Sequence, residues 1–129
     1  MITPDQPGST PQSAVTGHAT ITANRVEGTT VYNKQGEKIG KVEDLMIDKA
    51  SGQVRCVTAS FGAFMGLGGD LYPIPWSMLD YDTEVGGYVI DEVRLKDAPS
   101  LKLDQRSQDD LLWRDEVFKY WMAQPYWPA

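Results

Sequence analysis

The sequence predicts a mainly β protein: a small β-barrel of short antiparallel strands followed by one C-terminal α-helix. Three observations carry this expectation. Residues 31–91 alternate short β-prone runs with glycine turns, the pattern of a small barrel or sandwich. Pro73 and Pro75 interrupt one of these runs, as happens where a strand lies at an edge or stops. Beyond Pro99 the apolar residues change to helical spacing. A barrel also removes exposed strand edges.

A chain of 129 residues suits one domain and can bury a core without staples. Its 41% apolar and 23% charged residues are ordinary for a soluble globular protein. The formal net charge of -6 argues against nucleic acid as a partner, since phosphate binding needs a basic surface. It argues equally against electrostatic docking to anionic lipid. The single cysteine, Cys56, cannot form an internal disulfide, which fits a reducing compartment, and it reads as a buried small hydrophobe. There is no basic start followed by an apolar stretch, hence no secretory signal, and no apolar run approaches the ~20 residues of a membrane-spanning helix. A cytoplasmic protein without direct membrane insertion is expected.

Residues 1–24 are rich in Pro, Ser, Thr and Gly and read as a flexible tail, with His18 solvated on it. Order is expected from near Val26. Val31-Tyr32 is β-prone, and Asn33-Lys34-Gln35-Gly36-Glu37 is a turn. In residues 38–47 the apolar phase shifts between Ile39 and Val42, which predicts a bulge or bend near Gly40. Asp48 to Gly52 forms the next turn. Residues 53–61 are the strongest strand, apolar on both faces and so well buried. A glycine-rich loop, 62–69, leads into Asp70-Leu71-Tyr72-Pro73. Residues 75–79 can form one helical turn, and residues 79–82 and 87–90 a last hairpin. After Pro99, Ser107 can cap a helix with Asp110 three residues on, running to about Met122.

The candidate chemistry is sparse. The loop Gly62-Ala63-Phe64-Met65-Gly66-Leu67-Gly68-Gly69 lacks the Lys-Ser/Thr ending of a phosphate loop, and Asp70 would repel an anion. Its apolar residues Phe64, Met65 and Leu67 either fold back onto the core or form a contact surface. Asp80-Tyr81-Asp82-Thr83-Glu84-Val85-Gly86 has its glycine one place late for a calcium loop and reads as a solvated acidic turn. Glu43 and Asp44 are adjacent on a strand and do not converge. No catalytic residue, cofactor site or metal site is expected. Phe61, Tyr72, Trp76, Tyr81 and Tyr88 could line a cavity, but a small barrel fills its interior with side chains.

The terminal helix is the most suggestive element. Tyr120, Trp113, Val117, Trp121, Phe118, Leu111 and Met122 span roughly 200°, against the ~100° stripe of an ordinary surface helix. Arg114 falls inside this arc, where Asp110 could partner it. Two accounts stand. The last residues, with Tyr126 and Trp127, fold over the helix, or part of the helix packs on a second protein, most simply another copy. The second is preferred.

Several segments resemble one family: Gly28-Thr29-Thr30-Val31-Tyr32-Asn33-Lys34-Gln35-Gly36-Glu37, Ile39-Gly40-Lys41-Val42-Glu43-Asp44-Leu45-Met46-Ile47-Asp48, Ser51-Gly52-Gln53-Val54, Ser60-Phe61-Gly62 and Tyr72-Pro73-Ile74-Pro75-Trp76. Their order and spacing are similar to the PRC-barrel domain, named for the cytoplasmic part of the photosynthetic reaction centre H subunit. The resemblance covers residues 25–100, with residues 101–129 as a helix and aromatic tail like the extension of stand-alone bacterial members. It implies a compact barrel that serves as an adaptor on larger assemblies, and it supplies no catalytic motif.

The expected function is therefore a non-enzymatic interaction module, homodimeric and bound to a further protein partner. It would dock through Phe64, Met65 and Leu67 and through Trp113, Val117, Phe118, Tyr120 and Trp121. The alternative is a small-ligand sensor using the barrel interior or mouth.

Overall fold

The computed structural model describes residues 20–62, 70–102, 113–123 and 125–127. The expected N-terminal tail as far as residue 19, the loop with Phe64, Met65 and Leu67, and the expected helix start at Ser107, Asp110 and Leu111 lie outside these residues. The elements are α1 (Ala23–Val26), β1 (Thr30–Tyr32), β2 (Lys38–Ile47), β3 (Val54–Phe61) and β4 (Asp70–Pro75). A single 3-10 turn (Trp76–Met78) follows, then β5 (Asp80–Asp82), β6 (Gly87–Val89), α2 (Glu92–Leu95), β7 (Leu101–Lys102) and α3 (Arg114–Trp121).

The strands lie in the order β5-β6-β1-β2-β3-β4-β7. Six of them make the main sheet, and β7 adds a two-residue pairing along β4. Two details differ from the expectation. The sheet does not close on itself, and β1 runs parallel to β6, with Val31 opposite Tyr88. The β4 prolines explain where pairing stops on that side. Among the described residues β7 pairs with Asp70 and Leu71 alone, while Pro73 and Pro75 face Thr58 and Cys56 of β3. A proline has no N–H to offer, so the ladder on the β7 side cannot extend past Tyr72.

β2 is the longest strand because it serves two ladders at once. Its first part pairs with β1 and the rest with β3, and Gly40 belongs to both, opposite Val31 and Phe61. The register slips at Ile39 on one side and at Glu43 on the other, so the expected irregularity flanks Gly40. A Cβ at Gly40 would run into the Ser60 carbonyl and lie 2.6 Å from Cδ1 of the Phe61 ring. The bare backbone is therefore what lets the Phe61 ring lie across β2 as the sheet bends. Gly87 plays the same part at the parallel pairing, with the Tyr32 ring over it.

The β2–β3 turn forms as the sequence predicts. Asp48 N–H donates to the Gln53 carbonyl and Gly52 N–H to the Asp48 carbonyl, both at 2.8 Å, with Gly52 at φ 77. The Ser51 hydroxyl bond holds the Asp48 carboxyl below its ordinary range, against an opposing effect of burial.

Side chains fill the interior. Val31, Val57, Ala59, Ile74 and Leu95 are wholly buried, and Phe61, Tyr72, Trp76 and Tyr88 join them in one core. Tyr81 packs edge-on against Tyr88 at 5.5 Å. Cys56 is buried, as expected.

Asn33 ties this core to α2. It is 2% exposed and fully bonded. Its Oδ1 accepts from Gln35 and Glu37 N–H, while its Nδ2 donates to Glu37 Oε1 (2.8 Å) and Glu92 Oε1 (2.9 Å). The sequence shows Asn33 only as a turn residue. Nor does it announce α2, whose cap is Asp91, accepting from Val93 N–H at 3.0 Å.

Two outcomes are expected. Gly40→Ala lowers stability by about 1–3 kcal/mol in urea unfolding, the usual cost of overpacking. Tyr88 has its phenol pushed up to about 12 by burial and, secondarily, by Tyr81. Because the folded value lies above the unfolded one, its contribution is complete below pH ~10 and lost as the pH rises toward about 12. Denaturant melts over this window will show a loss of about 2–3 kcal/mol that Tyr88→Phe reduces.

Candidate functional site

The C-terminal residues expected to form an interaction surface fall into two groups. Val117, Phe118 and Trp121 are 1%, 4% and 3% exposed and belong to the chain's own core. Trp113 and Tyr120 are half-buried against it. The broad apolar arc thus has two coverings within the chain. One side of α3 packs on β4, and residues 125–127 lie over Phe118. This is the account in which the last residues fold over the helix. Met122, counted in the arc, is instead 84% exposed.

A backbone reversal produces the covering. At the end of α3, Met122 N–H donates to the Lys119 carbonyl (3.2 Å) and Ala123 N–H to the Phe118 carbonyl (2.9 Å). This is the Schellman arrangement, which needs a left-handed residue, and Met122 supplies it at φ 58, ψ 36. Pro125, which cannot continue a helix, follows closely.

The tail is then held by rings and guanidinium groups. Phe118 meets Tyr126 and Trp127 edge-on, with centroids 5.5 and 5.1 Å apart. Arg114 lies 4.4 Å from the Trp127 ring and 5.5 Å from Tyr126. Asp110, its expected partner, lies outside the described residues. Arg55 on β3 stacks 4.7 Å from Tyr126 and is held by Asp48 Oδ2 (3.5 Å) and Ser51 Oγ (3.3 Å). The β2–β3 turn therefore aims one of the two cations that cap the tail. Each such stack stabilises by about 0.5–2 kcal/mol, more as water is excluded.

On the opposite flank, Arg94 of α2 fastens the helix end. Its Nη2 donates to the Tyr120 carbonyl at 3.3 Å and its guanidinium lies 4.6 Å from the Trp121 ring. Tyr120 Oη donates back to the Arg94 carbonyl. A cation at a helix C-terminus also satisfies the negative end of the helix dipole. By contrast, Nε1 of Trp113 and of Trp121 finds no acceptor among the described residues. Ring packing and cations, more than indole hydrogen bonds, hold this end of the molecule.

Between α3 and the tail an open groove of about 620 Å³ remains, lined by Asp115, Glu116, Phe118, Lys119, Ala123, Pro125 and Trp127. A second open groove, about 390 Å³, runs over Gly40 and Phe61. Among the described residues no group of three His, Cys, Asp or Glu side chains is placed to hold a metal. No helix among them is long and apolar enough to cross a membrane.

An open β-sheet with register shifts in its central strand, a packed interior and a helical C-terminal flank is consistent with a small β-barrel-type domain. A family model for the PRC-barrel domain matches residues 18–96, more than half of the chain. The chain belongs to the PRC-barrel domain family. A search of curated proteins gave no match. The match ends before α3 and the tail, so the groove lies in the part of the chain beyond it.

Arg94→Ala and Tyr120→Phe are each expected to cost about 1 kcal/mol, and the two losses will fall short of additive by about 0.5 kcal/mol or more. Urea unfolding of both single variants and the double variant measures this coupling.

Proposed function

We propose that this chain is a non-enzymatic protein-interaction module that self-associates as a homodimer and presents a docking surface to a further protein partner in the bacterial cytoplasm. The carrying observation is the groove between α3 and the tail. Half-buried Trp127 and exposed Lys119 line it over the buried Phe118, and Met122 stands one residue before Ala123 of its lining, 84% exposed. A bulky apolar side chain displayed beside an aromatic groove is the usual form of an anchor in a protein interface. The docking set is thus reassigned within the C-terminal segment. Met122 and Trp127 are added, and Val117, Phe118 and Trp121 act as the support beneath. Phe64, Met65 and Leu67 remain proposed members of the surface. The filled interior speaks against the alternative of a small-ligand sensor in the barrel, since a ligand there would have to displace core side chains.

Sedimentation equilibrium across the micromolar range tests this reading. Self-association is expected, and Met122→Glu should weaken it by about tenfold while leaving the thermal midpoint unchanged within error. A strict monomer, with no protein retained from a bacterial lysate by the immobilised chain, would end the proposal.

A further inference from the structure

Met122 occupies a position that glycine usually fills. A left-handed backbone disfavours a bulky L residue by about tenfold in population. Its side chain is 84% exposed, so little packing within the chain offsets that strain. The strain sits at a hinge between α3 and the tail. If Met122 leaves φ 58, residues 125–127 no longer return to their own helix.

The seat those residues leave is specific. It consists of Phe118, Arg114 and Arg55, with ring and cation separations of 4.4–5.5 Å to Tyr126 and Trp127. A second copy carries the same seat and the same tail. We propose that two copies associate by exchanging residues 125–127, each tail docking between Phe118, Arg114 and Arg55 of the other copy. This rests on the homodimer reading and supplies its geometry.

Opposing effects act on the exchange. The exchanged dimer keeps the seat contacts and relieves two strained hinges, the circumstance in which short hinges promote swapping, while it gives up the two cap hydrogen bonds at each hinge. Against it stands the tail's effective concentration at its own seat, on the order of millimolar for a short connection. Relief of about tenfold per hinge, or about a hundredfold per dimer, works against that concentration and against the lost cap bonds.

Hinge substitutions of opposite sign test this in the full chain. Met122→Gly accepts the left-handed backbone without strain and should raise the dimer Kd by about a hundredfold. Met122→Ile keeps an apolar side chain but disfavours that backbone further, and should lower the Kd several-fold. Deletion of residues 125–129 should leave a monomer, with circular dichroism verifying its fold; the two hinge variants decide the matter if it does not fold. An ordinary contact through the Met122 side chain would instead make Ile nearly neutral. That result, or a dimer that survives the deletion unchanged, overturns the exchange and leaves self-association standing. A wild-type chain that stays monomeric through the micromolar range overturns both.

Discussion

The structure depends on one close approach, the Phe61 ring lying against the backbone of Gly40. β2 must serve β1 and β3 together, and it can turn from one to the other only where no side chain intervenes. Everything on the concave side follows. With β2 bent there, the buried faces of β1, β3 and β4 converge on a single core, which Val31, Val57 and Ile74 fill without exposure. A straight β2 would spread these residues over a flat sheet and leave one face wet. The barrel character of the domain is thus a property of a bent central strand, and it persists although the sheet remains open.

The short helix α2 transmits that core to the C-terminal segment. Asn33, buried in the β1–β2 turn, holds Glu92 at its start, and Arg94, two residues on, holds the end of α3 through the Tyr120 carbonyl and the Trp121 ring. A buried amide is costly unless all its bonds are made. Asn33 makes them with partners from both ends of the domain, so the turn, α2 and α3 take up mutually fixed positions. On the other flank Arg55 does similar work for the tail. The segment beyond the family match is therefore docked to the barrel by two arginines, Arg55 of β3 on the tail and Arg94 of α2 on the helix end.

Much of this was legible in the chain. Glycine and proline marked the turns at Asp48 to Gly52 and the limit of β4, because their backbone preferences are local. The two apolar faces of β3 announced its burial, and the ordered segments from Gly28 to Trp76 identified the family. Other features depended on partners distant in sequence. Nothing in Asn33-Lys34-Gln35 signals a bond to Glu92, and a four-residue helix such as α2 is too short for its periodicity to register. The width of the apolar face on α3 was visible, but not its covering. That depended on a left-handed turn at Met122, and methionine is among the residues least suggestive of one. The openness of the sheet was hidden for a related reason, since alternation gives the faces of a strand and says nothing of which strand is last.

The parallel pairing of β1 with β6 also bears on how the chain reaches this structure. The β2–β3–β4 meander and the β5–β6 hairpin join neighbours in sequence, so each can form early at small entropic cost. β1 against β6 is different. It joins the two ends of the family domain, and the Asn33–Glu92 bond beside it spans 59 residues. Such a long loop is closed late, once the meander exists as a template. The rate-limiting step of folding should therefore be the arrival of the β5–β6 hairpin at β1, and α3, riveted to α2, can settle only after it. During synthesis α3 leaves the ribosome after the barrel strands and also finds its place after them, so the order of emergence matches the order of assembly.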